Sequence, residues 1–296
     1  DFLNNKRILL KSIKKYGYAP EHNFWYFLNL QGKTDKCLYF CFQNNTGIMA
    51  QVYRDRSCEM VAEVLAPENE KLEIFEEFLE YSLSKMKLKK LFVFVSNDFK
   101  NKIQKMARKN NKYHLSRPRA YYCPIFSLKN LDERLPGKIW KKIRNMRNRF
   151  YKDNKVEILP SKYFGKKQLG NIVMQWKWNK NSYGRAEFVK YLNFVENDFK
   201  GTKYARTLVV NGEPSTITAG WDIPNSDVYY SAIGIHNYKH KYLGEMSNLD
   251  DLLYLKEMGY ENVNLGTSDK PLLAFKKKFM PESIFKFDYF SIRRNY

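Results

Sequence analysis

Near its C-terminus the chain reads NLGTSDKPLLAFKKKF, residues 264–279, a corner built from residue types suited to holding an anion. Gly266 carries no side chain, as needed where a backbone turns sharply or a ligand comes close. Thr267, Ser268 and Asp269 are types that cap a following helix, and Pro271 suits its first turn. Lys276, Lys277 and Lys278 cannot share one helix face, because successive residues are about 100° apart. One of them therefore turns inward while the others meet solvent. An inward ammonium at such a turn would meet a phosphate or a developing oxyanion. A solvated lysine row is the plainer alternative.

Basic side chains gather again between Lys138 and Lys152, where KIWKKIRNMRNRFYK holds seven Lys or Arg and no acid. Ile139, Ile143, Met146 and Phe150 fall at helical spacing, so one face docks on a core and the other is wholly basic. Like-charge repulsion disfavours such a face unless an anion lies opposite or solvent screens it. Further on, Trp176 and Trp178, with Tyr183 and Arg185, form an aromatic and basic cluster that stacks a terminal base or fills a core. His236 and His240 stand four apart, but in a loop, and the four cysteines include no CxxC pair. No metal site is expected.

These groups must be positioned by an α/β framework. DKCLYFCFQNNTGIMAQVYR alternates around Asn44-Asn45-Thr46-Gly47, a hairpin pattern. ENEKLEIFEEFLEYSLSKM repeats apolar residues on one helical face, KKLFVFVS is a short buried strand, DFKNKIQKMARKN a helix and YHLSRPRAYYCPIFSL an extended return. After the basic helix the order repeats. Helices at GKKQLGNIVMQWKWNK and EFVKYLNFVENDFK precede a hairpin turning at Asn211-Gly212. Then come the strand DVYYSAIGIH, a helix ending at Gly259, the strand ENVNLG, the helix KPLLAFKKKF and the strand FKFDYFSIR. Two units of similar element order thus stand in tandem, each a mixed sheet with helices packed on it.

The chain has 296 residues, with 52 Lys and Arg against 31 Asp and Glu, a formal charge of +21. That charge attracts polyanions such as RNA, DNA, anionic lipid or a phosphate-rich cofactor. A composition biased toward Lys and Asn would produce it with no such partner. No stretch reaches the roughly 18 apolar residues of a membrane span, and Asp1-Phe2-Leu3-Asn4-Asn5 is no secretory signal. A soluble, cytoplasmic protein with reduced cysteines is expected. Because the chain opens on Asp1, a trimmed or processed N-terminus is expected as well.

The element order of the second half, together with Arg144-Asn145, Arg147-Asn148, YYSAIGIHN and NLGTSDKPLLAFKKKF, resembles the tandem-GNAT aminoacyl transferases. These are the FemABX-like enzymes and the soluble domain of phosphatidylglycerol lysyltransferases. The resemblance implies an N-terminal GNAT-like domain at 1–130, a basic linker helix at 131–160 and a C-terminal GNAT-like domain at 161–296. It implies an enzyme that moves an amino acid from aminoacyl-tRNA onto an amine or hydroxyl of a lipid, peptide or metabolite, with no further cofactor. Phe275-Lys276 matches the family, which makes Lys276 the contact to phosphate or oxyanion, beside Gly266 and Thr267. Gly234 and Asn264-Leu265-Gly266 would border a gap between splayed strands.

Because the donor ester is already activated, positioning and oxyanion stabilisation are the chief tasks, and Asp222 with Tyr230 would relay a proton from the attacking amine. Arg144, Arg147 and Lys152 would grip the tRNA backbone, Lys239 and Lys241 its acceptor end, and Trp178 a base. GNAT enzymes that use acetyl-CoA cradle its pyrophosphate with a Gly-rich loop; here the equivalent stretch has one glycine, Gly244, followed by the acid Glu245. Two rival readings stand. One is an acyl-CoA-dependent N-acyltransferase; the other is a non-catalytic protein that binds RNA or touches an anionic membrane peripherally.

Overall fold

A computed structural model of the chain describes residues 2–180 and 188–295. Helices α1 (Lys6–Tyr16) and α2 (Phe24–Asn29) precede strands β1 (Lys36–Cys41), β2 (Gly47–Val52) and β3 (Ser57–Met60). Then follow α3 (Lys71–Glu80), β4 (Lys90–Ser96), α4 (Asn97–Asn110), β5 (Tyr113–Leu115) and β6 (Arg119–Ser127). The basic segment is α5 (Lys141–Asp153). Beyond it lie β7 (Val156–Pro160), α6 (Lys166–Trp178), α7 (Phe188–Glu196), β8 (Tyr204–Val210), β9 (Glu213–Pro214), β10 (Thr216–Asp222) and β11 (Val228–His236). The chain closes with α8 (Leu243–Glu257), β12 (Asn262–Asn264), α9 (Lys270–Lys276) and β13 (Ser283–Arg294).

The thirteen strands among the described residues join one sheet in the order β1-β2-β3-β4-β13-β6-β12-β11-β10-β8-β7, with β5 on β13 and β9 on β8. Each half holds one parallel pair, β3 with β4 and β11 with β12, after an antiparallel hairpin. The expected repetition of element order is thus a repetition of topology, two mixed sheets fused edge to edge. Helices α3 and α4 cover one face of the first half through Phe75, Phe78, Leu79 and Ile103 against Leu91, Val93 and Val95. In the second half α5 and α8 pack on one face, and α6 and α7 on the other against Ile217, Trp221 and Ile233. Buried Asp251 ties α8 to the sheet by accepting from Tyr204 Oη and Ser231 Oγ, both at 2.6 Å.

Two local expectations change. Ile143 and Phe150 of α5 are buried and Met146 packs partly, but Ile139 precedes the helix and is 65% exposed. The larger difference concerns β13, expected within a self-contained unit at 161–296. It leaves that half and inserts between β4 and β6, pairing Phe287 with Ser96 on one side and Tyr121 on the other. Phe290 and Ile292 therefore belong to the first core. Asp288 makes a 2.7 Å ion pair with Lys100 of α4, with both side chains largely buried. Among the described residues no helix is long and apolar enough to cross a membrane.

Residues 1–130 alone lack the strand that joins β4 to β6. They should show no cooperative urea transition, and fusing residues 280–296 through a flexible linker should restore one. Cooperative unfolding of the bare fragment would show β13 to be dispensable.

Candidate active site

Strands β11 and β12 run parallel only from Val228↔Asn262 to Tyr230↔Asn264. Beyond Asn264 the β12 backbone turns aside while β11 continues to His236, so the strands part. Gly234, on the parting stretch, is exposed and has no neighbour within 4 Å of where a side chain would begin. The turn itself is tightly specified. Gly266 has φ +81°, in the left-handed region, and a methyl group there would lie 3.5 Å from the Tyr230 ring and hydroxyl. Asn264 Oδ1 accepts from the Gly266 N–H at 2.7 Å and from the Cys123 thiol at 3.1 Å.

Lys276 is the lysine that turns inward. Its Nζ donates to the carbonyls of Leu265 at 2.6 Å and Gly266 at 2.8 Å, and the residue is 6% exposed. Leu273, one turn earlier, is buried on the same face, which is why the α9 register drives Lys276 under the turn. Lys277 meets solvent and Lys278 pairs with Glu245 at 2.7 Å. Of the three candidate capping residues, Asp269 caps α9 by accepting from Leu272 N–H at 3.0 Å. Ser268 instead bridges to the backbone of Tyr122, and Thr267 is exposed.

Thr267 and Asn264 border a cavity of about 410 Å³ that runs under the junction of the two halves. Phe94 and Phe287 form apolar walls, while Glu21, Glu63 and Asp98 supply carboxylates. Glu21 was not legible as a functional residue; it sits in the loop after α1, beside Pro20. That loop is pinned to both halves. Trp221 Nε1 donates to Pro20 O at 2.8 Å. His22 Nδ1 accepts from the N–H groups of Tyr18 and Ala19, which leaves Nε2 to donate to Glu63 O at 2.8 Å. Burial holds His22 neutral, with its pKa lowered to about 4. Burial likewise pushes the Glu21 carboxyl up to about 7, against the lowering by its own backbone N–H and Lys190.

Tyr230 stands over the turn, but its phenol is driven well above its usual value by burial and then by Glu21. It remains protonated and cannot accept a proton from an amine. Asp222 is not its partner. In the β10–β11 register Asp222 faces Tyr229 and Tyr230 faces Trp221, so the two side chains lie on opposite sides of the sheet. Asp222 bonds instead to Tyr260 and makes a 3.1 Å ion pair with Lys203 at the surface. The expected Asp222–Tyr230 relay is therefore not assembled, and the acid whose charge acts on Tyr230 is Glu21.

The basic residues divide. Arg144 donates to the carbonyls of Leu135 and Gly137, and Arg147 to that of Glu133, so both hold the loop before α5 rather than face outward free of protein. Lys152 is exposed at the far end of the helix. Arg149, not singled out by sequence, joins Lys241 at Tyr242, where hydrogen bonds from Lys241 and then Arg149 lower the phenol's pKa. Lys239 is exposed beside Glu213. Trp176 is core, 5.1 Å from the Tyr191 ring, whereas Trp178 is 65% exposed. Tyr183 and Arg185 fall outside the described residues.

The start of α8 is the stretch compared above with a pyrophosphate-cradling loop. Glu245 lies in its first turn, paired with Lys278, and a side chain on Gly244 would lie 2.9 Å from the His236 ring.

No protein-family model matches this chain, and no curated protein sequence does. Solved structures do. L-PGS from Bacillus licheniformis is similar at TM-score 0.65 and 14% identity, over 97% of this chain and 90% of that one. A tandem GNAT protein from the clavulanic acid biosynthesis pathway is similar at TM-score 0.63 and 10% identity, over 98% and 96%. A conserved protein of unknown function from Bacteroides thetaiotaomicron is similar at TM-score 0.69 and 14% identity, over 100% and 98%. The chain has the tandem GNAT fold. Its β13 passes from the second half into the first as described above, and at these identities the likeness is one of fold.

Gly266→Ala should lower stability by about 1–3 kcal/mol, the cost of holding a non-glycine residue in the left-handed region. Urea denaturation measures it, and an unchanged midpoint would mean that the turn relaxes freely.

Proposed function

We propose that this tandem GNAT protein is an aminoacyl-tRNA-dependent transferase that delivers an amino acid to an amine-bearing acceptor. The observation that carries the reading is Glu21. A carboxyl whose pKa reaches about 7 opens onto the same cavity as the Asn264–Thr267 turn. A base poised near neutrality is what removal of a proton from an attacking amine requires.

The acceptor nitrogen, as the free amine, attacks the ester carbonyl carbon, and the C=O π pair moves onto oxygen. Glu21 takes the proton that the new C–N bond makes acidic. Collapse of the tetrahedral species re-forms C=O and expels the ribose oxygen, which receives that proton. An amide and uncharged tRNA result, with Glu21 again ionised. Four acids, Glu21, Glu63, Glu68 and Asp98, against one ammonium, Lys71, around the cavity favour an amine-bearing group over an anionic one, in a chain whose overall field is positive. That field suits the tRNA, with Arg149 and Lys152 exposed on α5 and Lys241 meeting Arg149 at Tyr242.

The acyl-CoA reading has less support, because a pyrophosphate at α8 would meet Glu245 and its partner Lys278. The likeness to L-PGS adds weight to the tRNA donor, and the likeness to the clavulanic acid pathway protein keeps CoA as the comparison to run. The purified protein, incubated with tRNA charged with labelled amino acids and a cell extract, should deacylate one aminoacyl-tRNA in an acceptor-dependent way. Stabilisation by CoA with no such loss would select the acyl-CoA reading.

Two further outcomes are expected of Glu21. Transfer should fall as pH drops through about 7, where the base becomes protonated, and Glu21→Gln should lose roughly 10²- to 10⁴-fold in kcat together with that pH limb. Stability should move the opposite way. Between the ordinary carboxylate pKa and about 7 the folded state binds the extra proton, so stability declines as pH rises through that window. Glu21→Gln should melt higher than the parent at pH 8; equal melting at pH 8 and pH 5 for both proteins would refute the raised pKa.

A further inference from the structure

We infer that the Thr267 backbone N–H is the oxyanion donor of this site, and that Lys276 and Asn264 are the positioning residues that aim it. The inference rests on the acyl-transfer reading above and names how the developing negative charge is held. It holds for an ester or a thioester donor.

Lys276 would be the obvious electrophile by its charge, but its ammonium is committed elsewhere. It lies beneath the turn, 6% exposed, bonded to two successive carbonyls, and it is not part of the cavity wall. The peptide bonds are trans, so each N–H points away from the C=O of the same peptide unit. With the carbonyls of Leu265 and Gly266 both drawn toward Lys276, the N–H groups of Gly266 and Thr267 face the other way. The first is taken by Asn264 Oδ1 at 2.7 Å. The second has no acceptor among the described residues, and Thr267 lines the cavity that Glu21 enters.

The geometry is that of a polarised donor. A cation bonded to the carbonyl of a peptide unit withdraws electron density from it and strengthens the N–H at its other end as a donor. The left-handed φ of Gly266 is what lets two neighbouring carbonyls converge on one ammonium. The Tyr230 ring lies over the turn, 3.5 Å from where a side chain on Gly266 would begin. The charge of Lys276 thus reaches the reaction through the backbone, with the ammonium kept out of contact with substrate.

Single-turnover transfer and melting temperature should be measured for the parent, Lys276→Met, Lys276→Arg and Thr267→Pro. Thr267→Pro deletes the N–H and should lower kcat by about 10²- to 10³-fold, the usual effect of losing one oxyanion donor, with KM for the charged tRNA within about twofold. Lys276→Met should show the same split, and Lys276→Arg, whose fork can still serve two carbonyls, should recover most of the rate. If Lys276→Met fails to fold, the arginine and proline variants decide the matter. Full activity of folded Thr267→Pro would overturn the inference. So would a loss in Lys276→Met carried by KM, because Lys276 would then grip the tRNA itself. A parent inactive with both aminoacyl-tRNA and acyl-CoA would remove the acyl-transfer reading, and this inference with it. That result differs from an active parent with indifferent variants.

Discussion

The arrangement depends above all on the antiparallel pairing of β13 with β6 and β4. An unpaired sheet edge is a site for mispairing. Here the last strand of the chain fills the middle of the first half's sheet, and β6 in turn pairs with β12 of the second half. The backbone ladder is continuous from one edge to the other, so the halves cannot rotate against each other without breaking it. A cavity wall assembled from Phe94, Phe287, Cys123 and Asn264 draws on four adjacent strands, β4, β13, β6 and β12. Its shape is therefore fixed by sheet register, which tolerates no slip of one residue without turning each side chain to the opposite face.

Rigidity explains how unfavourable electrostatics survive. Glu21 is an acid whose surroundings oppose its ionisation, and a loop free to move would carry it into water. Two anchors prevent that. Trp221 holds the loop to the second half, and neutral His22 holds it to the first. The imidazole can serve as a structural linker across neutral pH because burial keeps it uncharged, so its hydrogen-bond pattern does not change there. Desolvation thus acts twice in adjacent residues. It fixes one as an anchor and poises the other as a base.

The sequence carried the local information well and the long-range information poorly. The hairpins at Asn44–Gly47 and Asn211–Gly212, the basic helix, and the strand–turn–helix at residue 266 were legible, because each is specified by residues within one or two turns of each other. The partner of FKFDYFSIR was not. Alternation reports a strand and its faces, but β6 and β4 lie well over a hundred residues away, and no local residue names them. Glu21 was missed for the same reason, since its raised pKa is a property of burial by distant elements. Asp222 and Tyr230 were wrongly paired because a β-bulge between Ala219 and Gly220 and a strand's two faces separate what proximity in sequence suggests. Arg144 and Arg147, read from a basic row as nucleic-acid contacts, also clamp the loop before α5, a tie that local sequence does not announce.

Lys276 shows why a residue's charge and its place need to be argued together. The spacing argument alone required one of three lysines to point inward, and helical periodicity with Leu273 decides which. An isolated ammonium so placed would be costly, because burial without partners penalises a charge by several kcal/mol. Two carbonyl oxygens repay part of that cost only if the turn brings both to the same point, which in turn demands the left-handed glycine. Gly266, Lys276 and Asn264 therefore form one interdependent unit, in which each residue is tolerable because the others are present. Replacing the lysine by a neutral side chain would leave two neighbouring carbonyls without the cation that holds them together. Reaching into the cavity, the same lysine would pair with Glu21, Glu63 or Asp98, which would draw its charge away from the reacting oxygen. Keeping the cation beneath the turn, and the acids above it, separates the group that removes the proton from the group that supports the oxyanion.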